Sequence, residues 1–203
     1  MSQNLIVKPA MAQPLFSLNM PGVDELFPGF APGDFAVLYG SPSVNSLTSL
    51  LCIRTQLPVQ LGGLGSNVVF IEGGNTFRLY KITRLAQIHQ LNPRQVLEHI
   101  FISRAFTAYQ LTSLIMEKLE ETIKTYNAKL VVISDIAGFF LDKDIPQEEA
   151  QRIYSQIVSY LSNLARKTPN HSHRNLSALR KQQKKHFTSR NDVCKINHRL
   201  ILR

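Results

Sequence analysis

No uninterrupted apolar run in these 203 residues approaches the roughly 20 needed to cross a bilayer. The opening MSQNLIVKPAMAQP also lacks the longer apolar stretch of a secretory signal, so the expected location is the cytoplasm, with no membrane among the partners. Cysteine is nearly absent: Cys52 and Cys194 lie far apart, without a CxxC or a nearby histidine cluster, which excludes a disulfide framework and a zinc site and leaves two free thiols. His171, His173, His186 and His198 form no compact ligand set. No internal repeat is present. Acidic residues run out at one end: residues 1–167 carry 14 Lys and Arg against 13 Asp and Glu, whereas 168–203 carry 9 against 1. The formal net charge of +9 therefore belongs almost wholly to a tail. Its stretch HSHRNLSALRKQQKKHFTSR reads as a solvated extension, expected to be disordered. Within it Arg180, Lys181, Lys184 and Lys185 are candidates for sequence-independent contact with nucleic-acid phosphates, the alternative being a charge run with no ligand.

The remainder is ordinary globular material, 44% hydrophobic and long enough for one α/β domain. Short runs rich in Val, Ile or Phe are predicted as strands at Phe35–Tyr39, Asn67–Ile71, Ile100–Ser103 and Leu130–Ile133. Longer helical patterns separate them, which argues for a mainly parallel sheet covered by helices. Between Ala108 and Tyr126 the residues Leu111, Leu114, Ile115, Leu119, Ile123 and Tyr126 form one apolar stripe. A second helix is predicted from Pro146, burying Ala150, Ile153, Tyr154, Ile157, Val158, Leu161, Leu164 and Ala165. The expected organisation is an extension over residues 1–20, a core over 21–167 and the basic tail over 168–203. Phe16 and Leu18 in the extension are apolar anchors, for the chain's own core or for a neighbouring subunit.

LYGSPSVNSL, Leu38 to Leu47, places a strand, a glycine turn and a helix in the order of a Walker A phosphate loop, GxxxxGK[ST]. Gly40 is the first glycine. Ser41, Pro42, Ser43 and Val44 follow, and then Asn45 stands for the second glycine, Ser46 for the lysine and Leu47 for the magnesium-binding hydroxyl. Asn tolerates left-handed backbone, so the turn itself is expected to survive. Losing one charge-assisted hydrogen bond costs about 1.5 to 3 kcal/mol, and the missing hydroxyl adds to that. Thr48, one position late on a helix, points about 100° away. ATP and magnesium are accordingly expected to bind weakly at Gly40 to Leu47, or not at all.

Four longer stretches, LFPGFAPGDFAVLYG, CIRTQLPVQLGGLG, VVFIEGGNTFR and LNPRQVLEHIFISRAFTAYQL, in that order and spacing, resemble the ATPase core of the RecA/RadA family of DNA strand-exchange recombinases. The resemblance covers about 21–167, and its wording is closer to an archaeal RadA-like paralogue. It implies a RecA-like P-loop NTPase core, ATP-dependent filament assembly on single-stranded DNA, and a role in recombinational repair.

Three departures accompany it. The family ends the strand after the first helix with an acidic residue, matched by Glu72, and two positions on has a glutamate that activates water; here that position is Gly74. Glu72 is a weak candidate for catalysis, set back by roughly 6 to 7 Å along a strand and beyond direct substitution without rearrangement, the alternative being a polar strand end. The family's Walker B strand runs from apolar residues directly into aspartate, whereas LVVISD inserts Ser134. Asp135 remains the candidate for orienting magnesium, the alternative being a turn-forming aspartate. Finally, the family's basic DNA loop is replaced by FFLDKDIPQEEA, with Asp142, Asp144, Glu148 and Glu149 against Lys143, a sequence that repels phosphates and suits a helix start.

The family pattern also calls for one more apolar strand after LSNLARK, beside the strand that leads into the phosphate loop. TPNHSHRNLS does not supply it, so the core strand is expected to be lacking or replaced. Three explanations are open: CKINHRLILR folds back into the place, a partner chain fills it, or the tail arises from a change of reading frame, which the abrupt shift in composition favours. The function that follows is a RecA/RadA-like paralogue in DNA repair and homologous recombination, acting as an accessory or scaffold subunit on a RadA-type recombinase, on itself or on single-stranded DNA. The competing readings are a weak DNA-dependent ATPase and a truncated fold without independent activity.

Overall fold

The computed structural model describes residues 15–140 and 145–167 in full and the backbone of 196–202. The strands are β1 (Phe35–Tyr39), β2 (Asn67–Glu72), β3 (Ile100–Arg104), β4 (Ala128–Ser134) and β5 (Ile196–Leu202). The helices are α1 (Ser43–Gln56), α2 (Leu79–Ile88), α3 (Pro93–Glu98), α4 (Ala108–Ser113), α5 (Leu119–Thr125), α6 (Ile136–Phe140) and α7 (Gln147–Arg166). All four predicted strands are present, three of them one to three residues longer than the apolar runs that marked them.

Strand order is β1-β5-β4-β2-β3. β2 pairs in parallel with β3 and with β4. β5 lies between β4 and β1 and is antiparallel to both. The vacant place beside the strand leading into the loop is thus filled by the chain itself, the first of the three explanations, and the filling strand runs against a sheet whose other strands are parallel. A bulge between Leu38 and Tyr39 shifts its register with β1, whose last pair is Tyr39 with Ile196, just before Gly40.

Side-chain parity divides the core into two layers, as strand geometry requires. On β2 and β4, Val69, Ile71, Val131 and Ile133 face the layer of α4, α5 and α7. Val68, Phe70, Leu130 and Val132 face α1, α2 and α3. Phe16 and Leu18 are buried in that second layer, and Phe16 exchanges backbone hydrogen bonds with Phe30 in both directions, so the chain's own core is what they anchor to. Arg54 on α1 is buried and secures the same segment, donating from Nε to the Ser17 carbonyl at 2.9 Å and from Nη2 to the Gly62 carbonyl at 3.2 Å.

The single helix predicted over 108–126 is α4 and α5 joined by a π turn at Leu114–Lys118. Its buried residues explain the turn. Leu111, Ile115, Leu119 and Ile123 recur at every fourth position, and a pure α-helix of 3.6 residues per turn would rotate that row off the sheet. One wider π turn brings it back. α7 follows its predicted stripe, with Ile157, Leu161 and Leu164 buried and Glu148 and Glu149 in the first turn, where negative charge suits the helix dipole. Asp142, Lys143 and Asp144 lie outside the described residues. So do Arg180, Lys181, Lys184 and Lys185.

Candidate functional site

The carboxyl ends of β1, β2 and β4 share one edge of the sheet, the position at which open α/β sheets place ligands. Gly40, Glu72 and Asp135 emerge there. Gly40 turns the chain with φ 115° and Ser41 follows, but the helix then starts at once: α1 is already formed at Ser43, with Pro42 as its cap residue. The Val44 N–H bonds to the Ser41 carbonyl at 3.0 Å and the Asn45 N–H to the Pro42 carbonyl at 3.2 Å. The Ser43 N–H is directed at its neighbour Ser41 Oγ, 3.3 Å away. Donors that would have to wrap a phosphate are turned into the chain's own first turn. Asn45 lies inside α1 and is absent from the left-handed residues, so the turn expected to survive through it is replaced by regular helix. Ser46 and Leu47 are helical as well. Thr48, the residue after Leu47, is buried and bonds back to the Val44 carbonyl at 2.8 Å.

A cation does reach this helix start, from an element that sequence reasoning passed over. Lys81, on α2, donates from Nζ to Ser46 Oγ, the residue standing where the family pattern has its lysine. Nothing in the local sequence marks it, because 35 positions separate the two.

Glu72 is fully buried at the end of β2. Its Oε1 accepts from the Gly74 N–H at 3.2 Å, the Thr76 N–H at 2.9 Å, the Thr76 hydroxyl at 3.2 Å and the Ser134 hydroxyl at 2.8 Å. Its Oε2 accepts from the Phe77 N–H at 2.6 Å. Burial alone would raise its pKa, but these hydrogen bonds, led by those from Thr76 and Phe77, more than offset it and hold the carboxyl below its ordinary value. Both oxygens are committed to folding the loop from Gly73 to Phe77 back over the strand end.

Asp135 follows β4 with φ 50°, a left-handed position that Asp tolerates better than most residues. Its half-buried carboxyl is pushed up by desolvation and by the charge of Glu72, against a lowering hydrogen bond from the Gly138 backbone. It is wedged between two glycines: a Cβ at Gly74 would overlap it, standing 2.8 Å from Cγ, and a Cβ at Gly138 would lie 2.9 Å from both carboxylate oxygens. Among the described residues no three His, Cys, Asp or Glu converge as a metal site. Magnesium in such folds is held by one or two carboxylates together with the phosphates of its nucleotide, so Asp135 alone does not decide the matter and the phosphate loop does. In that loop the Val44 and Asn45 N–H groups are bonded to Ser41 and Pro42.

A family model described as Rad51 matches residues 25–171. The chain belongs to the Rad51 family. A curated relative, "DNA repair and recombination protein RadA" from Cenarchaeum symbiosum (strain A), is 28% identical over 116 residues, covering 57% of this chain and 29% of the relative. The chain thus spans under a third of that relative's length. Family membership agrees with the α/β core described above, in which β4, β2 and β3 pair in parallel and helices flank the sheet. No helix among the described residues is long and apolar enough to cross a membrane.

Proposed function

We propose that this Rad51-family chain serves DNA repair and recombination as an accessory or scaffold subunit whose nucleotide site is degenerate, working beside a RadA-type recombinase or a second copy of itself. The observation that supports this reading most directly is the start of α1 at Ser43, with the Val44 and Asn45 N–H groups bonded to Ser41 and Pro42. Two others agree with it. Glu72 spends both oxygens on its own loop, and Gly74 offers no side chain at the position of the family's water-activating glutamate. Direct DNA contact falls to the basic tail in this reading, since the acidic start of α7 repels phosphates.

The experiment is co-purification of the tagged full chain with an archaeal RadA-type recombinase, in the presence and absence of single-stranded DNA. A stoichiometric complex that forms without ATP is the expected result. Failure to associate with the recombinase or with itself contradicts the reading. One observation favours the competing weak DNA-dependent ATPase, with ATP at Gly40 to Leu47 and magnesium on Asp135: Lys81 brings an ammonium to Ser46. Turnover stimulated by single-stranded DNA and abolished by Asp135→Asn would select it.

A further inference from the structure

Ser46 and Gly74, the positions that the resemblance matches to nucleotide-handling side chains, each have a side chain from a distant element packed against them. At Ser46, Lys81 Nζ from α2 donates to the serine hydroxyl, joining the first turn of α1 to the first turn of α2. At Gly74, the space a side chain would enter is taken by Asp135, whose Cβ would stand 2.6 Å from a Cβ at 74. Gly74 does not have the positive φ that would itself demand glycine. The bare Cα is therefore required by the neighbouring carboxylate and not by the backbone. Asp135 is held in turn by its left-handed backbone and by Gly138, whose own Cβ would crowd the same carboxylate from the other side. The two side chains come from different elements, α2 and the end of β4, and the two pairs share no residue.

We propose that these two pairs, Lys81 with Ser46 and Asp135 with Gly74, act as cross-links that fix the mutual arrangement of α1, α2 and β4 without a nucleotide. The inference rests on the proposed reading of Ser46 and Gly74 as parts of a degenerate nucleotide site. It makes its own statement about pairwise coupling inside the chain, which partner capture neither supports nor removes.

Two double-mutant cycles on the full-length chain, read by thermal unfolding, test it. Gly74→Ala is expected to lower the midpoint by several degrees in the native background and by little or nothing in the presence of Asp135→Gly. Should Gly74→Ala fail to fold, recovery of a cooperative transition in the double variant is the expected result, and no recovery overturns the inference. In the second cycle Ser46→Lys is expected to lower the midpoint while Lys81 is present, through like-charge crowding, and to lose most of that effect with Lys81→Ser. Equal losses in both backgrounds, in either cycle, overturn the proposed pairing. A third readout needs no variant. The native midpoint is expected to be the same with and without millimolar magnesium-ATP, and a rise would contradict an arrangement fixed without nucleotide.

Discussion

Ser134 donates a 2.8 Å hydrogen bond to the Glu72 carboxylate, joining the ends of two neighbouring strands through two fully buried side chains. In sequence these residues are two separate departures from the family pattern, a serine inserted before an aspartate and a glutamate with no glutamate after it. In space they are one feature. Ser134 also accepts from the Gly73 N–H at 3.1 Å, so the serine and the glutamate together hold the glycine-rich loop that Asp135 needs beside it.

Removing that carboxylate leaves the Gly74, Thr76 and Phe77 N–H groups facing an amide or a void. Glu72→Gln is expected to cost about 2 to 4 kcal/mol, and Ser134→Ala about 1 to 3 kcal/mol. Chemical denaturation of the purified variants measures both. A Glu72→Gln protein as stable as the parent would mean that the loop is held by something else.

The same group sets an acid limb. The folded pKa of Glu72 lies below its ordinary value near 4.5, so its contribution is complete above that value and disappears as pH falls through the lower, folded one. Unfolding midpoints followed from neutral pH downward are expected to drop across this window in the parent. The drop should be shallower in Glu72→Gln, which has no proton to gain.

Cys52 is fully buried on α1, and burial pushes its thiol up to about 12. In a variant carrying Cys194→Ser, a thiol reagent at neutral pH should label Cys52 only as fast as the chain opens. Labelling in the dead time of mixing would contradict the packing of α1 against β2 and β4.

Arg54 acts as a fork, with its Nε and Nη2 bonds reaching Ser17 and Gly62. Arg54→Ala is expected to cost about 2 to 3 kcal/mol, and Arg54→Lys to recover little, because an ammonium on a flexible stem cannot address both carbonyls. Limited proteolysis between Leu15 and Pro28 should accelerate in both variants. Unchanged protection in Arg54→Ala would assign the anchoring of this segment to Phe16 and Leu18 alone.

The strands were legible because burial on both faces leaves short β-branched runs, and Val68 to Ile71 and Leu130 to Ile133 are of that kind. The stripe on α7 was legible because its spacing is helical. The π turn was readable in principle from the fourfold spacing of Leu111, Ile115, Leu119 and Ile123, which is too wide for an α-helix. β5 was legible only as one of three possibilities, and not the favoured one, since INHRLIL follows a long basic stretch and its pairing with β1 and β4 depends on residues far away in the chain. Within the candidate site, the departures at 46, 47 and 74 could be read from the pattern of residue types. What packs against 46 and 74 could not: Lys81 and Asp135 act through tertiary neighbours that no local spacing encodes. Nor does sequence reveal that α1 begins at Ser43, because serine and proline fit a loop and a first helical turn equally well.

Calorimetric titration of the full chain with magnesium-ATP tests the central claim most directly, that the turn from Gly40 into α1 is closed to a triphosphate. No saturable heat is expected at concentrations up to roughly 100 μM, the range of a binding free energy near 5.5 kcal/mol. Saturable binding below that concentration, lost in Lys81→Ala or Asp135→Asn, would contradict it.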